Sequence, residues 1–210
     1  WLLVRSRVNL EIMLENISFS YPDSKQAVIN NLSLNIKAKT TVAFVGSTGA
    51  GKTTYSKKIG ESWPGVVYSI DNWMKNLYGQ DMPKDPPSNW YYENQEWYVD
   101  RIERCQNQIR ELTLEGALKG YNAILDLGFT TKDHRKSFID FFSKHGVSTE
   151  IHYLNISIEE RKRRVQERNS TKGETFVMTV DDTLFDYMES IFEPPSEDEG
   201  AGIRTIEWTA

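Results

Sequence analysis

The segment GSTGAGKT, residues 46–53, constrains this chain more than any other stretch of its sequence. It matches the phosphate-binding template G-x-x-x-x-G-K-[ST] at every fixed position. An apolar run at 42–45 precedes it and is typical of a buried strand, and the polar run at 53–61 is compatible with a helix. Glycines let the backbone wrap a polyphosphate, and a helix N-terminus attracts negative charge. The segment therefore predicts binding of a nucleoside triphosphate.

Two side chains at the end of this loop have predicted roles of their own. Lys52 has the length to reach the β- and γ-phosphates, and the hydroxyl of Thr53 can bind Mg²⁺. The predicted nucleotide-binding residues of the loop are Gly46, Ser47, Thr48, Gly49, Ala50, Gly51, Lys52, Thr53 and Thr54.

The composition argues against several classes of protein. The formal net charge is −5, which argues against a large basic surface for nucleic acid. Cys105 is the single cysteine, so no intramolecular disulfide can form, which suits a reducing cytoplasm. No apolar run approaches the length that spans a membrane. The three histidines show no metal-ligand spacing, so no metal besides Mg²⁺ is expected.

The order of predicted elements indicates the fold class. Residues 12–21, with a bulge, and residues 32–36 alternate apolar and polar side chains, which predicts a small antiparallel β element. After the loop, strands and helices alternate, which predicts a three-layer α/β/α P-loop NTPase fold with a mostly parallel five-stranded sheet. Further strands are expected at 66–70, 123–127, 147–154 and 203–208, and helices at 98–119, 131–144, 158–168 and 181–192.

Two carboxylates stand where predicted strands end. Ligands bind at the carboxyl edge of a parallel sheet, so Asp71 and Asp126 are expected to face the phosphate loop. Asp71 can accept a proton from a hydroxyl that attacks the γ-phosphate, and a helix N-cap is its equally common alternative. Asp126 can hold Mg²⁺, orient Lys52 or contact substrate, and a plain turn role is also open.

A basic run lies on one predicted helix. Arg161, Arg164 and Arg168 recur three and four residues apart, so they share a face. Beside a triphosphate, this face would stabilise charge on the transferring phosphoryl group. Composition alone favours the alternative, a solvated face that pairs with neighbouring glutamates.

The segment before the 98–119 helix is rich in aromatic residues. Their side chains can line a substrate pocket or stack on a base, and packing of a lid against the core is the commoner use. This aromatic cluster consists of Trp90, Tyr91, Tyr92, Trp97 and Tyr98.

Four segments, taken in order, carry a resemblance to a known family. They are SIDNWMKNLYGQDMP at 69–83, AILDLGFTTKDHR at 123–135, HYLNISIEERKRRVQERN at 152–169 and GETFVMTVDDTLFDYMESIFEPPSEDE at 173–199. From about Thr53 to Trp208, the sequence resembles P-loop kinase-like ATP-binding proteins. That family is grouped with zeta toxins, chloramphenicol phosphotransferase and the 5′-kinase of polynucleotide kinase.

This resemblance implies ATP with Mg²⁺ and a role for each matching residue. Asp71 matches the strand-end aspartate that serves as general base in related kinases, and Asp126 matches the second such aspartate. Arg164 and Arg168 match a lid pair, of which one commonly lies against adenine and the other reaches the phosphates. Arg135 matches a recurrent arginine in the substrate half. The implied catalytic residues are Asp71, Lys52, Arg164 and Arg168, and the implied metal residues are Thr53 and Asp126.

The front of the chain carries a second resemblance. Residues 14–54, LENISFSYPDSKQAVINNLSLNIKAKTTVAFVGSTGAGKTT, resemble the start of an ABC transporter ATPase. There, an aromatic at the position of Tyr21 stacks on adenine, which adds Tyr21 to the nucleotide-binding residues. An ordinary strand-end aromatic is the open alternative. The later ABC features, an LSGGQ-like signature and an apolar run followed by Asp-Glu, are missing from the sequence.

The two resemblances meet close to Thr54 and Tyr55, so the chain is interpreted as a chimera of natural or engineered origin. It would consist of an ABC-like β element at 1–40 and a P-loop kinase-like domain at 41–210. The leading hypothesis is a cytoplasmic Mg·ATP-dependent phosphotransferase whose partners are the nucleotide and a small hydroxyl-bearing acceptor. A nucleotide-binding module with weak ATPase activity or none, and an ABC-type ATPase fragment, are the alternatives. The oligomeric state stays open.

Overall fold

A computed structural model describes residues 12–19, 29–36, 40–62, 65–84, 86–172, 176 and 178–207. Tyr21, the predicted adenine-stacking residue, lies outside the described residues. No helix within these ranges is both long enough and apolar enough to cross a bilayer.

The first two strands form a separate antiparallel ribbon. Strand β1 (Ile12–Phe19) pairs with β2 (Ile29–Ile36), and the register shifts twice along the pair. Such shifts mark a bulge or irregularity, where one strand carries an extra residue. The predicted antiparallel element ahead of the phosphate loop is therefore confirmed, and its register shifts lie within the strand for which a bulge was predicted.

Five further strands form one parallel sheet in the order β4-β5-β3-β6-β7. Every neighbouring pair in it is parallel, so the predicted five-stranded sheet is confirmed. Its strands are β3 (Thr40–Val45), β4 (Gly65–Ser69), β5 (Asn122–Asp126), β6 (Ser148–Asn155) and β7 (Gly202–Glu207).

Seven helices lie between these strands in the described part of the chain. They are α1 (Lys52–Ser62), α2 (Ile70–Tyr78), α3 (Ser88–Glu93), α4 (Gln95–Leu118), α5 (Lys132–Lys144), α6 (Ile158–Thr171) and α7 (Asp182–Ser190), followed by a 3₁₀ turn at Glu197–Glu199.

The central strand β3 is buried along its whole length, because the sheet is covered on both faces. Ala43 and Val45 join the core cluster that includes Ile109 of α4 and Phe142 of α5. Phe44 points to the opposite face, where its ring lies 4.9 Å from that of Tyr55 in α1. This alternation follows from the two-residue period of a strand, and it fits the three-layer α/β/α arrangement.

Helix α6 is longer than the sequence predicts. We expected it to end at Arg168, but it continues to Thr171, and Lys172 closes it in the left-handed conformation with φ of 46°. The hydroxyls of Ser170 and Thr171 donate to the carbonyl of Glu167, at 2.8 and 2.9 Å. These bonds let two residues with low helix propensity extend the last turn.

Candidate active site

The phosphate loop leaves the carboxyl end of β3 and enters α1, as its template predicts. Gly49 and Gly51 have φ of 83° and 89°, a region that side chains disfavour. A Cβ on Gly49 would lie 2.6 Å from the carbonyl oxygen of Arg161. The loop therefore requires glycine at position 49 for its backbone angle and for its close approach to α6.

Lys52 bends back across this loop. Its Nζ donates to the carbonyl oxygens of Gly46, at 2.7 Å, and of Ser47, at 3.4 Å. Burial lowers the pKa of Lys52, and the charges of Asp126 and Asp71 oppose that shift. The ammonium group thus lies among the predicted phosphate-binding groups, with both predicted carboxylates close enough to act on it.

Thr53 and Asp126 meet beside the loop. The Thr53 hydroxyl donates to Oδ2 of Asp126 at 2.9 Å, which joins the first turn of α1 to the end of β5. Burial raises the pKa of Asp126, and the nearby charge of Lys52 opposes that shift. A hydroxyl and a carboxylate are the oxygen donors that Mg²⁺ prefers in nucleotide sites. This donor set fits the magnesium ion that the sequence implies.

Asp71 lies in the first turn of α2. Its strand, predicted to run to residue 70, ends at Ser69, and Ile70 already belongs to the helix. The N-cap of α2 is Ser69, whose hydroxyl accepts from the amide of Asn72, so the capping alternative is wrong for Asp71. Burial raises the pKa of Asp71, and the charges of Lys52 and Arg168 oppose that shift. A carboxylate with a raised pKa is a better proton acceptor.

Arg168 places a cation beside Asp71. Burial lowers the pKa of this guanidinium, and the charge of Asp71 opposes the shift. Its Nε is buried and has no hydrogen-bond partner among the residues that the structure describes. Since a buried donor without a partner is costly, an anionic group would satisfy this side of the site.

The other arginines of α6 point to two different surroundings. Arg163 and Arg164 both donate to Glu160, at 2.7 Å from each Nε, as the alternative of a paired helix face predicts. Arg161 instead turns inward, where it is 6% exposed and forms an ion pair with Glu189 of α7. The face that the sequence assigns to three arginines is thus divided among three uses, with Arg168 alone beside Asp71.

Arg135 is buried and has a carboxylate partner that the resemblance did not indicate. It is 1% exposed and donates from Nε and Nη2 to the two carboxylate oxygens of Glu199, each at 2.7 Å. Further bonds reach the backbone carbonyls of Phe129, Thr130 and Pro194. The geometry of a planar guanidinium suits this set of acceptors. Arg135 therefore joins the loop after β5 to the segment that carries Pro194 and Glu199.

Part of the aromatic cluster lies near Asp71. The rings of Tyr91 and Tyr98 meet edge to face with centroids 5.1 Å apart. Burial, and then the negative charge of Asp71, raise the pKa of Tyr91 to about 12, and the same two causes raise the pKa of Tyr98. Tyr98 also packs against the main core. Packing against the core is thus confirmed for Tyr98, and contact with a substrate or a base stays a prediction.

One residue that contacts the phosphate loop was not identified from the sequence. Glu189, near the end of α7, accepts a hydrogen bond of 2.6 Å from the hydroxyl of Ser47. This glutamate lies in the segment at 173–199 that carries the family resemblance, but no role of its own was predicted for it, and it is 142 positions from Ser47. The amphipathic pattern of 181–192 predicts a helix but gives no indication that its end reaches the phosphate loop.

Comparison with known proteins gives a family and a fold. A family model described as an AAA domain, AAA_33, matches residues 42–195. The ATP-dependent lipid A-core flippase of Pseudoalteromonas translucida is 49% identical over 45 residues, which are 21% of this chain and 8% of that protein. The chain spans only 8% to 11% of the length of the first curated relatives that it matches.

Two solved structures illustrate the likeness of the fold. A candidate kinase from Chloroflexus aurantiacus superposes with a TM-score of 0.62 at 12% identity, covering 80% of this chain and 84% of that one. A gluconokinase from Sinorhizobium meliloti gives a TM-score of 0.53 at 13% identity, covering 80% and 83%. At such identities the likeness extends to the fold, a P-loop α/β/α sandwich, and no further.

Proposed function

Because the chain belongs to the AAA domain family AAA_33, we propose that it is a Mg·ATP-dependent phosphotransferase that acts on a small hydroxyl compound. The observation that carries this proposal is the grouping of Asp71, Lys52 and Arg168. The charges of Lys52 and Arg168 both act on the pKa of Asp71. A proton acceptor with two cations beside a phosphate loop is the arrangement that phosphoryl transfer needs.

Each of these side chains has its own task in the transfer of the γ-phosphoryl group. The acceptor oxygen bonds to the γ-phosphorus while the bond from that phosphorus to the β–γ bridging oxygen breaks. Asp71 takes the proton that the acceptor hydroxyl loses. Lys52 and Arg168 offset the negative charge on the transferring group. ADP and the phosphorylated acceptor are the products.

Thr53 and Asp126 would hold the metal ion in this site. When bound, Mg²⁺ supplies positive charge to the phosphate oxygens. Lys52 is kept close by its bonds to the carbonyls of Gly46 and Ser47. These three side chains come from the loop, the start of α1 and the end of β5, so the site needs the folded sheet edge.

Two residues, Arg164 and Tyr21, are proposed to contact the adenine ring, each for a different reason. Arg164 is held by Glu160 at 2.7 Å, which leaves its planar group fixed on α6 for stacking. Tyr21 is assigned by its place in the ABC-like front. The cytoplasm, which holds ATP and keeps Cys105 reduced, is the compartment that suits this activity.

The test is transfer of labelled γ-phosphate to a panel of sugars, nucleosides and amino alcohols. Asp71→Asn should abolish transfer while Mg·ATP binding, measured by calorimetry, persists. Asp133→Asn is the matched control, because Asp133 also lies in the first turn of a helix but is exposed. Transfer by Asp71→Asn at the wild-type rate would refute the assignment of the base.

A second candidate is a nucleotide-binding module with little turnover, and the short matches to ABC-type proteins favour it. A chimera of an ABC-like β element at 1–40 and a kinase-like domain at 41–210 would keep phosphate binding. It would lose the acceptor geometry, because catalysis is sensitive to displacements of about 1 Å. Binding of Mg·ATP without product from any acceptor would support this candidate. An ABC-type ATPase fragment would instead hydrolyse ATP without any acceptor.

A further inference from the structure

Helix α7 contacts the start of the phosphate loop through two consecutive residues. Glu189 accepts from the Ser47 hydroxyl at 2.6 Å, and the sulfur of Met188 accepts from the Thr48 hydroxyl at 3.1 Å. Ser47 is buried, with 7% of its surface exposed. The first two variable positions of the loop are therefore held by their side chains, outside the backbone amides that would face phosphate.

A carboxylate at this position needs compensation, because it would otherwise repel a polyphosphate. Arg161 supplies it with two parallel bonds, from Nη1 to Oε2 at 2.6 Å and from Nη2 to Oε1 at 2.8 Å. Hydrogen bonds from Arg161 and Ser47 lower the pKa of Glu189 against the effect of its burial. Such two-point pairs are among the strongest and most directional contacts of charged groups.

Arg161 is itself fixed to the phosphate loop and to the residue that precedes the N-cap of its helix. Its Nε donates to the carbonyl of Ile156 at 3.0 Å, and its Nη1 lies 3.4 Å from the carbonyl of Thr48. The backbone of Arg161 also touches Gly49, where a Cβ would come within 2.6 Å of its carbonyl oxygen. Three consecutive loop residues, 47 to 49, thus rest on this arginine and its partner.

We propose that Glu189 is a positioning residue that, through its ion pair with Arg161, holds residues 47–49 in the conformation that binds nucleotide. The proposal rests on the proposed nucleotide site. It assigns a function to α7 beyond packing against Val165 of α6, because α7 becomes the support of the loop's first half. The positive charge of Arg161 offsets the negative charge of Glu189 there.

The same two helices offer a matched control. Lys162 of α6 pairs with Asp186 of α7 at 3.1 Å, and both side chains are well exposed. This pair joins α6 to α7 as the Arg161–Glu189 pair does, but no bond from it to the loop is among the described contacts. Asp186→Asn therefore weakens the helix–helix connection without changing the support of the loop.

The experiment compares Ser47→Ala, Glu189→Gln and Asp186→Asn by calorimetry with Mg·ATP and by amide hydrogen exchange of residues 47–51 without nucleotide. We expect about tenfold weaker binding for the first two variants, the worth of one charge-assisted hydrogen bond, together with faster exchange of the loop amides. Asp186→Asn should match wild type in both measurements.

Three results would overturn the proposal. One is tighter ATP binding by Glu189→Gln, which would mean that the carboxylate acts by repulsion. Another is an equal loss in all three variants, which would assign the effect to packing of α6 on α7. The third is unchanged exchange of the loop amides in Ser47→Ala and Glu189→Gln. Because exchange is measured without nucleotide, it decides on the positioning role even if the wild-type protein fails to bind ATP, a failure that would refute the proposed function instead.

Discussion

The hydroxyl of Thr53 lies 2.9 Å from Oδ2 of Asp126, so the start of α1 and the end of β5 are joined at the predicted metal site. The two residues come from neighbouring elements of the sheet edge, not from one local motif. Each donates oxygen, and the charge of the pair comes from Asp126 alone. A substitution that removes the charge of Asp126 but keeps an oxygen atom at that position distinguishes metal binding from hydrogen bonding to Thr53.

Asp126→Asn is expected to reduce the gain in ATP affinity that Mg²⁺ provides by about tenfold, because an amide oxygen is a weaker ligand for a hard cation than a carboxylate. ATP affinity measured in a chelator should be unchanged or slightly higher, since a negative charge is lost. Calorimetry with and without Mg²⁺ checks this. Asp140→Asn, on an exposed face of α5, serves as control. If Mg²⁺ raises the ATP affinity of this variant as much as that of wild type, Asp126 is not a ligand of the metal ion.

Gly49→Ala is expected to weaken nucleotide binding by at least about tenfold, because a left-handed residue with a side chain costs roughly 1–3 kcal/mol. Its Cβ would also collide with the carbonyl of Arg161. Gly146→Ala is the matched control, since Gly146 has φ of 70° but no atom within 4 Å of its Cβ position. Both variants should lose thermal stability, and only Gly49→Ala should lose ATP affinity. Equal affinities would show that the loop tolerates displacement from α6.

His134 is expected to make the protein less stable as the pH falls from 6.5 towards 4. Burial, and then the charge of Arg135, lower the pKa of His134 from 6.5 to about 4. Between these values the unfolded chain binds the proton more tightly, so the free energy of unfolding decreases as the pH falls. With ~1.4 kcal/mol for each unit of pKa difference, the effect is at most about 3 kcal/mol.

His134→Phe checks this expectation, because its ring can keep the contacts with Phe129 and Phe138. Urea unfolding at several pH values should show a shallower decline for this variant than for wild type. His145→Gln, at the exposed end of the same helix, should retain the wild-type decline. Identical pH profiles for all three proteins would exclude His134 as a source of acid sensitivity.

Arg135→Met is expected to reduce the free energy of unfolding by about 3–5 kcal/mol, because Glu199 would keep a buried charge without its partner. The double variant Arg135→Met with Glu199→Leu should recover most of that loss. Lys136→Met on the same helix breaks an exposed pair with Asp140 and should cost about 0.5 kcal/mol or less. Denaturant unfolding measures all three. A small loss in the first variant would mean that Glu199 is neutral in the folded protein.

The sequence predicts the sheet, the loop and the order of elements well, because each depends on short-range patterns. The template around Lys52 and the apolar run before it are local signals, and the parallel sheet confirms the strand that they predict. The boundary at Asp71 is off by one residue, since Ser69 and Ile70 suit a strand end and a helix start equally. The residue pattern alone could not decide whether Ile70 ends the strand or begins the helix.

The supports of the site could not be predicted, because they join residues far apart in the chain. Ser47 and Glu189 are 142 positions apart, and Arg135 and Glu199 are 64 apart. Glutamates of this kind occur on most helices and turns, and their burial depends on how whole elements pack. The resemblance matched Arg135 to an arginine of the substrate half but gave no indication of its buried partner, Glu199.

The central place of β3 also governs the order in which this chain can fold. Thr41 pairs with Ala123 and Thr40 pairs with Ser148, so the strand that carries the phosphate loop waits for partners that leave the ribosome much later. Long-range parallel pairing of this kind slows folding and exposes apolar strands in the meantime. A nascent chain that has emerged only as far as α4 therefore presents the apolar strand β3 without either of its neighbours, and is at its most prone to aggregation or chaperone capture.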